Sequence, residues 1–464
     1  MLKAISNSLS TRLKHWIPDT FVFAIILTII TAIMAVTLTD TSINKVTDDW
    51  YKGFWMLLEF GMQMVLILAT GYSIALSPFI SKLIDKLATL AKTPGKVYLL
   101  VMFIGALFAL VSWGWVVLTA VLARELGKRV DGIDYAYLVA CVYISGAPWV
   151  AGLSSSIPLV LNTEGNFLIS TGVLQDLIPV NLTLGSLLNY CYLGAFVLTF
   201  PLLMWLLKPK TNSSTSMGDL LDDDHREMKS VAEEALSKSL NGTSLSDRLN
   251  NGRWLQMVIA IAAAWFIFRY FLKNGFDINL NIMIFLFIAI GLIAHQTPMR
   301  YVVAMKRSCS NVSGIIFQYP FYAGIMGIMM FSGLGAVLSN WMASGASIES
   351  LPFWALFSGA VINFAIPSAG GEWAVIGPAL TETALTLTQG LPAEQIQAYV
   401  ARIAMATAYG ETSSNLLQPF FLLIILPIMG AGVKIQARDV VGYLLLPFIY
   451  LFVMSSLLVT FVPL

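Results

Sequence analysis

The sequence predicts an all-α polytopic membrane protein built from two inverted repeats, and three observations predict it. The chain is 57% hydrophobic and only 11% charged, against roughly 25% charged in a soluble domain. Its second half repeats the first. Ala136-Tyr137-Leu138-Val139-Ala140 leads into Ser145-Gly146-Ala147-Pro148 and Ser154-Ser155-Ser156-Ile157-Pro158, as Ala398-Tyr399-Val400-Ala401 leads into Tyr409-Gly410-Glu411-Thr412-Ser413-Ser414-Asn415 and Gln418-Pro419. Upstream, Gly105-Ala106 precedes Ser112-Trp113-Gly114-Trp115, and Gly359-Ala360 precedes Pro367-Ser368-Ala369-Gly370-Gly371-Glu372-Trp373. The third observation is charge placement, which sets the topology.

The elements follow in order. Residues 1–16 read as an interfacial helix, with Ile5, Leu9 and Leu13 on one side and Lys3, Arg12 and Lys14 on the other. Nine crossings are expected at about 17–38, 50–77, 135–161, 184–207, 254–273, 279–296, 309–338, 396–428 and 441–462. Residues 97–128 and 352–385 are expected to be re-entrant hairpins opening to opposite sides. A hairpin at 97–128 keeps Arg124, Lys128 and Arg129 inside, as the positive-inside rule favours. With the N-terminus cytoplasmic, all but five of the 27 Lys and Arg face the cytoplasm; the exceptions are Lys45, Lys52, Arg269, Lys273 and Arg402. The first repeat is 1–207. Residues 208–253 form a cytoplasmic linker with a short surface helix, and 254–464 hold an extra crossing and the second repeat. The extra crossing, 254–273, inverts the second repeat relative to the first.

Duplicated apolar segments interrupted at matching polar points are the sequence sign of a secondary transporter's midplane site. Pro367 and the Gly370-Gly371 pair cannot sustain a regular helix. A helix restarting near Glu372 or Trp373 offers N–H groups and partial positive charge to an anion. Asn363 and Ser368 add side-chain partners. The plainer alternative is close helix packing. At the first tip, Ser112, Trp113 and Gly114 either wall an apolar pocket or pack. Ser154, Ser155, Ser156, Thr412, Ser413, Ser414 and Asn415 are oxygen-rich, fit for a coupling cation, Na⁺ or H⁺, or else for bonds back to their own helices. Glu411, read as inside a break, and Glu372, read at a hairpin tip, are scarce intramembrane charges, each a proton carrier or half of an ion pair. Glu59 reads as mid-span, and Arg402 as pairing with a carboxylate or snorkelling. His15, His225 and His295 read as solvated and form no metal cluster. The three cysteines form no CxxC pair. No metal, cofactor or nucleic-acid partner is expected at a net charge of +1.

Further marks are Phe60-Gly61-Met62-Gln63-Met64, Ala91-Lys92-Thr93-Pro94, Pro320-Phe321-Tyr322-Ala323-Gly324-Ile325, Gly377-Pro378, Ala408-Tyr409-Gly410-Glu411 and Gln418-Pro419-Phe420. With Ile362-Asn363-Phe364 and Pro367-Ser368 they make the chain resemble, nearly end to end, the short-chain fatty acid transporter family of the acetoacetate and butyrate uptake type. That family resembles the ion-transporter superfamily of elevator carriers. The resemblance implies scaffold and transport domains, a homodimer, and a bacterial inner-membrane symporter for small monocarboxylates. The carboxylate would meet hairpin N–H groups, Asn363 and Ser368, and the tail Trp113, Trp115 or Trp373. A carrier for dicarboxylates or other small organic anions, and an anion channel, are the alternatives. The absence of HExxH and GxSxG patterns argues against an enzyme.

Overall fold

Every regular element of the described chain is an α- or 3₁₀-helix. The structure is a computed structural model. It describes residues 19–463 except 57, 78–85, 87–90, 112–115, 163–165, 171, 210–214, 222–229, 239–243, 276–279 and 311. The expected interfacial helix at 1–16, His15, His225 and the tip residues Ser112, Trp113 and Gly114 lie outside the described residues.

The first helices are α1 (Thr20–Leu38), α2 (Ile43–Phe54), α3 (Leu58–Ala75), α4 (Pro94–Val111), α5 (Val116–Arg129), α6 (Tyr135–Ser145), α7 (Ser156–Leu161) and α8 (Leu187–Leu207). The linker holds α9 (Val231–Ser237) and α10 (Leu245–Asn251). Then come α11 (Arg253–Asn274), α12 (Leu280–His295), α13 (Pro298–Cys309), α14 (Ser313–Phe331) and α15 (Leu334–Ala343). The last are α16 (Leu351–Ile362), α17 (Ala369–Leu387), α18 (Ala393–Asn415), α19 (Pro419–Met429) and α20 (Ala437–Phe461). Side chains start several of them. Asp19 caps α1, Asp134 caps α6, Ser186 caps α8 and Ser368 caps α17, each accepting from an orphan N–H.

Six stretches are long and apolar enough to cross a membrane: Thr20–Leu38, Pro94–Val111, Tyr135–Leu161, Leu187–Leu207, Leu245–Asn274 and Ala437–Phe461. A seventh is the α18–α19 pair, bent by 52°. Of the nine expected crossings, three fall on the shorter apolar helices Gly61–Ile74, Asn281–His295 and Ile316–Phe331.

Several boundaries differ from expectation. The stretch 50–77 is two helices, because α2 is an amphipathic segment that ends at Phe54. It packs on α14 so closely that a Cβ at Gly53 would lie 2.5 Å from Gly327 Cα. Glu59 is therefore in the first turn of α3 and exposed, where the helix dipole favours an acid. The stretch 309–338 breaks at Gly333, whose φ of +77° needs glycine. His295 is not solvated; it is 1% exposed, and its Nε2 donates to Ser73 O at 2.8 Å. The linker has three described helices, Met217–Leu220, α9 and α10, rather than one. It is tied at both ends. Lys434 N donates to Leu220 O at 2.7 Å, and Arg307 Nη2 meets Glu234 Oε2 at 2.5 Å.

Helices α1–α3 pack with α11–α14, and α4–α8 pack with α16–α20. The two groups meet mainly where α3 touches α5 and α19 and where α14 touches α17 and α19, with α15 bridging. Phe420 of α19 stacks on Tyr319 of α14 at 4.2 Å across that boundary.

Candidate functional site

Two helical hairpins each lie along a broken helix. At one end, Tyr98 OH accepts from Asp134 N at 2.9 Å, joining the start of α4 to the start of α6. At the other, Leu153 N donates to Leu110 O at 2.8 Å. So α4 runs parallel to α6, and α5, which connects them, must run back. Gly105 confirms the fold: a Cβ there would lie 2.8 Å from Thr119 Cγ2. In one continuous helix those residues would be about 21 Å apart.

The second hairpin is arranged likewise. Tyr399 OH donates to Ile348 O at 2.7 Å near the starts of α18 and α16. At their far ends Asn363 Nδ2 donates to Ser414 Oγ at 2.8 Å and to Asn415 Oδ1 at 2.7 Å. Helices α16 and α18 are thus parallel, and α17 returns. The approach is glycine-dependent, since a Cβ at Gly410 would overlap Leu356 O and one at Gly359 would overlap Thr407 O.

The two broken helices meet at their breaks. The first opens after Ser145 into a 3₁₀ turn, Ala147–Ala151, and resumes at Ser156. The second opens at residues 416–418, where Pro419 at the first position of α19 forces the chain out of helix. Thr412 Oγ1 donates to Ala147 O at 2.8 Å. Tyr143 OH donates to Asn415 O, and to Gln418 O at 3.2 Å. Gln418 Nε2 donates to Asn363 O at 2.9 Å, which ties the hairpin tip to the break. The start of α6 lies beside the end of α19, where Tyr135 OH donates to Met429 O at 2.6 Å. The two hairpins therefore approach the breaks from opposite ends.

A small cavity of about 40 Å³ sits at this junction. Val116, Trp149, Phe421 and Ile424 give it an apolar wall, and Tyr143, Thr412 and Asn415 give it a polar edge. Pockets for small molecules have this make-up, mostly apolar with a few placed polar groups.

The residues singled out by sequence divide around it. Thr412 and Asn415 line the cavity. Asn363, Ser368, Gly370, Gly371, Glu372 and Trp373 are not among its described lining residues. Asn363 is fully buried against the end of α18. Ser368 caps α17 by accepting from Gly371 N at 3.4 Å. Gly370 faces Ser156, with 3.7 Å between a Cβ there and Ser156 Cβ. Ser155 is buried at the start of α7, and Ser154 lies in the turn before it. Glu372 and Trp373 are fully buried in the first turns of α17. Glu411 is not inside a break; it is helical, like Thr412, Ser413, Ser414 and Asn415. Ser413 and Ser414 bond back to the Tyr409 and Gly410 carbonyls, which a helix accommodates. Arg402 meets neither carboxylate and donates to Val459 O at 3.5 Å.

The layer is rich in buried acceptors. Among the described residues, Asn363 Oδ1, Glu411 Oε2, Gln418 Oε1 and both Glu372 oxygens have no hydrogen-bond partner. Buried polar atoms are normally satisfied, so this concentration is unusual. Sequence reasoning missed Tyr143, Trp149 and Asn189. Asn189 accepts from Tyr409 OH at 2.9 Å and donates to Ala151 O at 3.0 Å. A hydroxyl one turn before a Gly-Pro break was the available signal for Tyr143.

Residues 1–462 match the profile of a family described as "Short chain fatty acid transporter". A Haemophilus influenzae protein named for short-chain fatty acid transport is 35% identical over 457 residues, covering 97% of each chain. An Escherichia coli K12 protein of the same name is 36% identical over 447 residues, covering 96% of each. Among solved structures, the YdaH transporter of Alcanivorax borkumensis is 16% identical with a TM-score of 0.43, covering 97% of each chain.

Proposed function

The chain belongs to the short-chain fatty acid transporter family, and from that premise we propose that it is a secondary active carrier taking up small monocarboxylates such as acetoacetate or butyrate. It works as a cation symporter in the bacterial inner membrane, with its N-terminus in the cytoplasm, and as a homodimer. The observation that carries this reading is the junction of the two breaks, where Tyr143 and Thr412 bind one broken helix to the other beside the cavity. The acid's carboxylate takes the polar edge at Tyr143, Thr412 and Asn415. Its short tail takes the wall of Val116, Trp149 and Phe421. Matched hairpins approaching from opposite ends support two inverted repeats, since alternating access needs one site reachable from either face. The packing of α4–α8 with α16–α20 supports a transport unit that slides as an elevator against a scaffold of α1–α3 and α11–α14. The test is counterflow of labelled butyrate into proteoliposomes preloaded with unlabelled acid. Saturable exchange is expected; flux no greater than in protein-free liposomes would overturn the reading.

A further inference from the structure

Glu372 and Glu411 are the two fully buried carboxyl groups of the junction, and each lies within electrostatic range of the other. Glu411 Oε1 accepts from Asn415 Nδ2 at 3.2 Å. Among the described residues, Glu411 Oε2 and both oxygens of Glu372 have no partner. A further group points the same way. The Tyr192 hydroxyl is fully buried, has no partner among the described residues, and lies within electrostatic range of Glu411.

Among the described residues, no positive charge offsets the pair. Helices α7, α14, α15, α16 and α19, packed around α17 and α18, contain no Lys, Arg, His, Asp or Glu. On α18 itself Arg402 is nine residues from Glu411, about 14 Å along the helix, and is turned to Val459 O. Glu394 is farther still. On α17, Glu382 is ten residues from Glu372, about 15 Å away. On α20, Arg438 and Asp439 occupy the first turn, at the opposite end from Val459. The Tyr143 and Tyr192 hydroxyls lie within electrostatic range of Glu411, with Tyr319 and Tyr322 beyond Tyr143 and Tyr409 beyond Tyr192.

An ionised carboxylate buried without a partner is costly, and a second carboxylate within electrostatic range adds to that cost. The pair must therefore hold a proton or a metal cation. The unpartnered Asn363 Oδ1 and Gln418 Oε1 would add to the oxygen shell a metal cation wants, but Asn415 turns an N–H toward Glu411, and that N–H repels a cation. A proton needs only one carboxyl oxygen.

We propose that Glu372 and Glu411 form a proton-carrying pair, so that the ion moved with the acid is H⁺. This rests on the carrier reading above. A proton leaves the outer water, forms an O–H bond on a carboxylate oxygen of the pair, and crosses with the transport unit. It then returns to water on the inner side as that bond breaks. No electrons are exchanged. The proton offsets the charge of the carried carboxylate, while the substrate sits in the cavity.

Two measurements test it. The first uses the wild-type protein in proteoliposomes, with initial uptake of labelled acetoacetate corrected for protein-free liposomes. An inward pH gradient should drive uptake, and replacing Na⁺ by choline should leave the rate unchanged. Uptake driven by a Na⁺ gradient and indifferent to pH would overturn the pair as proton carrier. Under the pH gradient, Glu372→Gln and Glu411→Gln should each lose roughly tenfold or more in rate, the equivalent of about one pH unit of driving force. The second is infrared spectroscopy of the purified protein in Na⁺-free buffer near neutral pH. A protonated-carboxyl C=O stretch, shifted in D₂O and reduced in each Gln variant, is expected. A wild-type spectrum without that band overturns the proposal even if a Gln variant fails to fold. Absence of saturable exchange with the band present would instead refute the carrier reading.

Discussion

The two broken helices build one polar layer, each offering backbone carbonyls to a hydroxyl of the other, but their breaks differ in length. The first break is long, spanning Gly146 to Ser155, and it contributes backbone: Ala147 O and Ala151 O accept from Thr412 and Asn189. The second spans only 416–418, and the helix before it contributes side chains: Thr412, Asn415 and, at its edge, Gln418. Local composition explains the difference. Gly146, Pro148 and Gly152 spread the first break over several residues, while Pro419 alone sets the second. The partners differ too. A Cβ at Gly105 would overlap the Ser145 side chain, whereas one at Gly410 would overlap the Leu356 backbone carbonyl. Side chains move aside and backbone does not, so of these two positions Gly410 is the less forgiving.

The largest expected effect tests that contrast. Gly410→Ala should cost about 3 kcal/mol, the upper range for overpacking, read as thermal unfolding in detergent. Gly105→Ala should cost less, and adding Ser145→Gly should recover part of the loss. Equal costs with no recovery would erase the distinction. Next in size, Trp149→Ala opens the cavity wall and should raise exchange of hexanoate relative to butyrate by about tenfold, the discrimination a few methylenes carry. An unchanged ratio would remove Trp149 from the substrate's path. Tyr143→Phe and Thr412→Val each delete one bond across the junction and should cost about 1 kcal/mol singly. Because both bonds join the same two breaks, the double variant should deviate from additivity.

The smallest effect lies outside the membrane. On the linker, α9 sets Val231 and Ala235 against Val303 and Ala304 of α13, and Glu234 bonds Lys238 and Arg307. The Lys238 hydrogen bond first, then Arg307, holds the Glu234 carboxyl below its usual value of 4.5. A lowered folded value means the stabilisation is complete above pH about 4.5 and fades as pH falls through the folded value. The group is largely exposed, so Arg307→Ala should cost only about 0.5 kcal/mol at pH 7. The cost should vanish in acid, checked by thermal unfolding across pH.

Hydropathy and charge made the all-helical membrane fold legible. Gly, Pro and Ser at 145–158 made the first interruption legible, since those residues act through local backbone rules. What depended on a neighbour was not. Glu411 and the residues after it looked like a break because they are polar; yet the Ser413 and Ser414 hydroxyls bond back within the helix, and the interruption waits for Pro419. His295 looked solvated at a span edge until α3 supplied Ser73 O. The expected crossing at 50–77 took in the end of α2, which is a separate segment whose glycine face is buried on α14. The site was half visible for the same reason: residue types marked the layer, and only packing joined Tyr143 and Trp149 to Thr412 and Asn415.

The most direct test of where the two halves meet in function is a structure of the protein with a bromine-labelled short-chain acid, located by anomalous scattering. The bromine should lie against Trp149 and Phe421, with the carboxylate toward Tyr143 and Thr412. Bromine located instead beside Ser368 and Trp373, at the start of α17, would contradict the account.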